Sequence, residues 1–337
     1  MALRTLRTIP LRSALGRHAS TSSPHPKLPS LPITVKVSAQ EVATQRLTWR
    51  NLELATRAIH RDGLVVLQDV IEHAKLDGLN EKMLQDARTL QDAGDASPYN
   101  YNKGNIQQDP PMTEKYFEGS IIVNRLATQV TSSVLGPRPR LSFISGNSAL
   151  PPSASTPPQS QPVHSDADFE HPHSPFALVV NVPLVEMSEE NGSTEIWLGT
   201  HTAASIADQE GEHGERASGR IKTDLLTQRQ LERPPSQPLV KKGSLVIRDL
   251  RLWHAGKPNF SSATRVMLAM IHFAPWFRNA MEVEVADDLI PILKPYESEL
   301  QIQAKFVPEK VVMDGYLNRG FGNAYDFNQK EPLDGVF

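Results

Sequence analysis

Residues 161–166 read Gln161-Pro162-Val163-His164-Ser165-Asp166, and shortly after them the chain runs Phe176-Ala177-Leu178-Val179-Val180-Asn181-Val182-Pro183-Leu184-Val185. The second stretch is apolar and rich in β-branched residues, and reads as a buried strand. The first stretch stands just before it. In an extended segment residues i and i+2 point to the same side, so the His164 imidazole and the Asp166 carboxylate can face one common point. That is the geometry of two ligands for one metal ion.

A third ligand must come from elsewhere. The candidate is His254, in Ile247-Arg248-Asp249-Leu250-Arg251-Leu252-Trp253-His254-Ala255-Gly256, between two expected strands. Two imidazoles and one carboxylate on one face of an octahedron leave three positions open, the arrangement of non-haem Fe(II) oxygenases. Arg265 then opens the strand Arg265-Val266-Met267-Leu268-Ala269-Met270-Ile271. A guanidinium there can clamp a carboxylate bidentately. His-x-Asp alone is a weak signal that recurs by chance. The ordered set of ligand pair, strand, distant His, Arg and strand is a stronger one.

The surrounding sequence sets these residues in a β-rich half. Further strands are expected at 141–144, 194–197, 239–240, 243–247 and 265–273. The stretch 207–238, with Gly211, Gly214, Gly219, Pro234 and Pro235, reads as a long surface insertion. Towards the N-terminus the pattern is helical at 48–60, stopped by Asp62-Gly63, with a buried strand at 64–67. Two more amphipathic helices are expected at 71–90 and 116–135. Gly136 and Pro137 end the second of these. Between them, 92–111 reads as a polar loop. Helices first and many short strands after argue for an α+β fold with a mainly β core, an antiparallel sandwich or barrel.

The first forty residues differ from the rest. They carry Arg4, Arg7, Arg12, Arg17, Lys27 and Lys36, many Ser and Thr, and no acidic residue before Glu41. Leu3, Leu6, Leu11 and Leu15 would line one side of a short basic helix. Arg-rich, Ser-rich and acid-poor is the composition of a mitochondrial transit peptide, with a disordered tail on a cytoplasmic protein as the alternative. Pro24, Pro26, Pro29 and Pro32 read as a linker. The expected division is a leader over 1–39 and one domain over 40–337.

Composition narrows the function. Thirty-five basic against 38 acidic residues give a net charge of −3, so no basic field for nucleic acid exists. No run approaches 18 consecutive apolar residues, so no membrane-spanning helix is expected. The chain has no cysteine, which excludes disulfides, thiol nucleophiles and thiolate metal sites. A bound metal must take His, Asp or Glu. P-loop and Rossmann glycine patterns are absent.

The combination over roughly 62–273 resembles the phytanoyl-CoA dioxygenase family of Fe(II)/2-oxoglutarate oxygenases, in particular its fungal members. Arg61-Asp62-Gly63-Leu64-Val65-Val66-Leu67 is similar to that family's opening strand. Asn191-Gly192-Ser193-Thr194 and Leu198-Gly199-Thr200-His201 stand where the family shows Asn-Gly-(Ala/Ser) and Pro-Gly-Ser-His, with Leu198 and Thr200 as mild departures. The resemblance implies a double-stranded β-helix (jelly roll) with flanking N-terminal helices. It implies iron on His164, Asp166 and His254, and the distal carboxylate of 2-oxoglutarate on Arg265. It places Gln161 and Thr194 at co-substrate contacts, with Asn147 as a substrate-pocket candidate. The reaction implied consumes O₂ and 2-oxoglutarate to oxidise a small organic substrate, a natural product or an acyl-CoA-like molecule. Members that halogenate lack the carboxylate that Asp166 supplies, so hydroxylation, desaturation or a related oxidation is implied here.

Other residues have plainer readings. Asp168 shares the face of Asp166 and is the rival ligand. His171-Pro172-His173 is read as pocket rim, His201 as structural, and Trp253 as packing. Arg248, Asp249 and Arg251 either form ion pairs supporting the site or lie on an exposed face. Two other classes of function remain open at this stage. One is a jelly-roll binding protein that has lost the reaction. The other is a cupin-like hydrolase or isomerase using Zn²⁺ on the same three ligands.

Overall fold

The structure is a computed structural model and describes residues 28–153, 157–213 and 216–318. The basic helix expected near the N-terminus lies outside these residues. The strands in chain order are β1 (Ile33–Lys36), β2 (Leu64–Gln68), β3 (Tyr99–Asn100), β4 (Asn102–Gln108), β5 (Arg140–Ala149), β6 (Ala177–Pro183) and β7 (Thr194–Ile196). They continue with β8 (Glu212–His213), β9 (Arg216–Ala217), β10 (Leu245–Asp249), β11 (His254–Gly256), β12 (Arg265–Phe273), β13 (Val283–Ala286), β14 (Gln301–Ile302) and β15 (Ala304–Val307). The helices are α1 (Ala39–Thr44), α2 (Trp49–Asp62), α3 (His73–Asp92), α4 (Gly119–Ile122), α5 (Arg125–Leu135), α6 (Thr223–Glu232), α7 (Ile290–Leu293) and α8 (Glu309–Gly315).

Among the described residues one large sheet dominates, in the order β1-β2-β10-β6-β12-β5-β4-β3, with β14 also pairing β5. Facing it is a smaller layer in which β11 pairs antiparallel with β7. Single bridges extend that layer, from His164 to His254, from Ile196 to Ser236 and from Met187 to Val240. The architecture is a jelly roll with helices at its N-terminal side. β6 is buried at every position, as a continuous apolar run covered on both faces should be. Its outer face meets helical side chains such as Leu126, Ala127 and Val130 of α5, all in the main hydrophobic core.

Local signals explain several boundaries. Thr48 caps α2 by accepting from the Asn51 amide at 3.3 Å. Gly63 ends it at φ +76 and donates its N–H to the Ile59 carbonyl. A Cβ on Gly63 would lie 2.5 Å from the His201 ring, so both the left-handed conformation and the close approach demand glycine. The chain enters β2 at the next residue, as expected for 64–67.

The structure corrects the sequence reading in four places. The helix expected over 116–135 is two, α4 and α5, because Asn124 starts a new one: its Oδ1 accepts from the amides of Leu126 and Ala127, both at 3.0 Å. The polar loop 92–111 contains β4, whose inner end is buried. The stretch 207–238 lies largely on the surface, as expected, but has regular structure of its own. It holds α6 and is pinned by buried Arg233, which donates to Asp62 at 2.9 Å and to the Pro29 carbonyl at 2.7 Å. Finally, the large sheet includes Ile33–Lys36, inside the stretch given to the leader. β1 pairs parallel with β2, and its alternation of apolar Ile33 and Val35 with polar Thr34 and Lys36 is hidden behind the prolines that precede it.

Candidate metal centre and pocket

The site forms where the two layers of the jelly roll face each other. His164 and His254 are joined by a pair of backbone hydrogen bonds, each N–H donating to the other's carbonyl at 2.9 Å. Two residues separated by a long stretch of chain are thereby fixed side by side, with ring centroids 4.3 Å apart. The Nδ1 of His164 lies 2.9 Å from the Pro162 carbonyl, and the Nδ1 of His254 lies 2.9 Å from the Leu252 carbonyl. A carbonyl can only accept, so each Nδ1 carries the proton and each Nε2 keeps its lone pair. Both Nε2 atoms lie 3.7 Å from Oδ1 of Asp166. Among the described residues, His164, Asp166 and His254 are the one group of three His, Cys, Asp or Glu able to hold a metal ion, with ligand atoms within 4.8 Å of one another.

The charge states suit a metal. Burial lowers the pKa of His164, with Asp166 acting in opposition. Burial lowers that of His254 further, helped by nearby Arg248. Both rings are therefore neutral ligands at neutral pH. Burial would by itself raise the pKa of Asp166, but the Arg248 guanidinium and the two imidazoles outweigh it and hold the carboxyl well below the usual carboxylate range. Nitrogen, nitrogen and one carboxylate oxygen are the donor set of the facial triad.

The sequence model described as Phytanoyl-CoA dioxygenase (PhyH) matches residues 59–267, more than half of the chain. The chain belongs to the phytanoyl-CoA dioxygenase family. It is an oxidoreductase of the kind that depends on non-haem Fe(II), 2-oxoglutarate and O₂. Among solved structures, the epimerase SnoN in complex with Fe3+, alpha ketoglutarate and nogalamycin RO gives a TM-score of 0.50 at 17% identity, over 66% of this chain and 84% of that one. At that identity the likeness shows the shared fold. EctD from S. alaskensis in its apoform gives a TM-score of 0.49 at 16% identity, over 84% of this chain and 95% of that one.

In this member of the phytanoyl-CoA dioxygenase family, one pocket opens onto the three ligands, and Arg265, Gln161, Thr194 and Asn147 all line it. Arg265 is 1% exposed. It donates to the Gly192 carbonyl at 2.6 Å and, weakly, to Asn147 at 3.4 Å. Among the described residues it bonds to no carboxylate, and its buried Nε has no partner. Desolvation pulls its pKa down to about 10. A buried guanidinium without an anion is costly, and a carboxylate entering the pocket would relieve it. Gln161 is held by accepting the Gly256 N–H at 2.8 Å. A Cβ on Gly256 would come within 2.6 Å of that oxygen, so a side chain there would push the Gln161 amide out of its present position.

The rival residues fall elsewhere. Asp168 does not join the ligand cluster. The His171 ring stacks on Phe176 with centroids 5.7 Å apart, and Arg251 donates to the His173 carbonyl. His201 is buried beside Gly63. Trp253 packs with Trp197 and Ile221. The ion-pair reading of the Arg248–Arg251 region is the correct one. Arg248 meets Asp166 at 2.5 Å, and Arg251 meets Asp249 at 2.8 Å with both side chains buried.

Sequence reading missed one wall of the pocket. Gln107 on β4, Ser145 on β5 and Asn181 on β6 line it, all buried. Asn181 had a visible signal, as the lone polar side chain inside an apolar run. Gln107 had none, since Ile106 is the one apolar residue of its strand.

Proposed function

We propose that this oxygenase oxidises a C–H bond of a small organic molecule whose reacting part is uncharged. The observation that carries this reading is the fate of the pocket's charges. The titratable and cationic side chains lining it are His164, Asp166, His254, Arg248 and Arg265. Three are the metal ligands, and Arg248 is committed to Asp166. Among the described residues lining the pocket, that leaves Arg265, a cation with no carboxylate partner there, for the distal carboxylate of 2-oxoglutarate, with Gln161 and Thr194 beside the co-substrate. The remaining polar lining, Asn100, Gln107, Ser145, Asn147 and Asn181, offers hydrogen bonds and no charge.

Iron held by His164, Asp166 and His254 would supply O₂ activation coupled to conversion of 2-oxoglutarate to succinate and CO₂. The chain's own residues bind, orient and dehydrate. Arg265 fixes one end of the co-substrate, the aliphatic lining excludes water, and the amides orient the substrate edge to be oxidised. An acyl-CoA remains compatible only with its neutral acyl portion inside.

The test is succinate release from 2-oxoglutarate with Fe(II) and ascorbate, across matched sets of neutral compounds, carboxylates and acyl-CoA esters. Stimulation by neutral compounds is expected. Stimulation confined to carboxylates would overturn the substrate reading, and absence of Fe(II) binding would overturn the metal reading.

The leader is proposed to direct the chain to mitochondria. Because the Pro29 and Ser30 carbonyls accept bonds from Arg233 and Ser236, a processing cut that preserves the fold must fall before Pro29. Imaging residues 1–28 fused to a fluorescent protein checks the targeting.

A further inference from the structure

We propose that Arg248 is a positioning residue that keeps Asp166 on the metal through one oxygen only, and so holds a third coordination position open. This rests on the metal site described above. Arg248 lies within β10, opposite Leu64 on β2 and Val179 on β6. The side chains beside it across the sheet are aliphatic, so packing alone calls for an apolar residue here. A guanidinium 7% exposed carries a desolvation cost instead.

Its contacts show what the cation does. Nε donates to Oδ1 of Asn181 at 3.2 Å, and Nδ2 of Asn181 donates to the Leu268 carbonyl at 3.3 Å. The guanidinium is thus braced against the sheet. Nη2 donates to Oδ2 of Asp166 at 2.5 Å. The other carboxylate oxygen, Oδ1, is the one that stands 3.7 Å from both Nε2 atoms. A carboxylate can take a divalent cation with one oxygen or with two. Here the second oxygen is occupied by a charge-assisted hydrogen bond, and turning it to the metal would break that bond. One-oxygen ligation leaves three octahedral positions, enough for a chelating 2-oxo acid and O₂. Two-oxygen ligation would leave two.

Neutralising a buried carboxylate is a different role, and the two can be separated. Lysine supplies the charge without the planar fork. Co(II) serves as a redox-inert probe, read by its visible spectrum and by titration calorimetry, with 2-oxoglutarate then titrated into the Co(II)-loaded protein. For Arg248→Met we expect Co(II) affinity within about threefold of the parent, a changed visible spectrum, and 2-oxoglutarate binding weakened by about tenfold or more. Arg248→Lys should fall between the parent and Arg248→Met. Thermal melts establish that each variant is folded. Should Arg248→Met not fold, Arg248→Lys carries the test.

Arg248→Met with the parent spectrum and the parent 2-oxoglutarate affinity would overturn the proposal. So would an Arg248→Lys protein indistinguishable from the parent, since charge alone would then suffice. If the parent and His164→Ala take up Co(II) alike, it is the metal site itself that fails, and the role of Arg248 with it.

Discussion

The pocket has two walls of opposite chemistry. One is aliphatic: Leu64 and Val66 on β2, Val246 on β10, and Met187, Ile196 and Val240 across from them. The other is polar: Gln107 on β4, and Ser145 and Asn147 on β5. Ala269 on β12 lies between, paired in register with Asn181 on one side and Ser145 on the other. The aliphatic wall is also a hydrophobic cluster in its own right, so its side chains stabilise the fold and shape the cavity together. The polar wall buries hydrogen-bonding groups that add little to stability. Selectivity can therefore change on the β4–β5 side without unfolding the protein, whereas the β2–β10 side is constrained twice over.

Three substitutions probe the pocket, in decreasing order of expected effect. Arg265→Ala leaves the incoming carboxylate without its cation and should cost about 2–5 kcal/mol of 2-oxoglutarate affinity, measured by calorimetry on the metal-loaded protein. Unchanged affinity would mean that another group holds the co-substrate. Leu64→Ala should cost about 3 kcal/mol of stability in urea unfolding. A substitution on the polar wall should behave in the opposite sense. Gln107→Leu should leave the urea midpoint nearly unchanged while lowering kcat/KM for a neutral substrate about tenfold, a loss of about 1.4 kcal/mol. A large stability loss from Gln107→Leu, or none from Leu64→Ala, would erase the distinction between the walls.

A fourth test, read as a pH slope, comes from the opposite face of the sheet. His272 on β12 is buried, and its Nδ1 meets Thr131 Oγ1 at 2.9 Å. Burial pushes its pKa down from 6.5 to about 3. The unfolded chain takes up the proton first, so this residue's contribution is complete above pH 6.5 and is lost as pH falls towards 3. The slope is about 1.4 kcal/mol per pH unit. Urea midpoints between pH 7 and 5 should drop in the parent and drop less in His272→Leu.

The same contrast governs what the sequence disclosed. β12 is found with both its ends, because nine residues of mostly apolar character start at a marked Arg265. The aliphatic wall is visible for the same reason. β4 is not, since Asn102-Lys103-Gly104-Asn105-Ile106-Gln107-Gln108 carries one apolar side chain. It is buried by what packs on it, not by its own hydrophobicity. The metal ligands were legible because the chemistry restricts them to few residue types in a chain without cysteine. The division between α4 and α5 was not, because the apolar period continues through a capping asparagine. Arg248 was seen as a charge near the site, but its partner depended on β10 lying beside β6, which is a matter of topology.

The mutual backbone bonds of His164 and His254 carry one more consequence. They hold the two imidazoles side by side through the backbone alone, without calling on an ion. Stripping the protein with a chelator should leave a native, loadable apoprotein, and added metal should raise its melting temperature only by mass action. Reloading would then be limited by the ion's entry into the cavity and not by refolding of the chain.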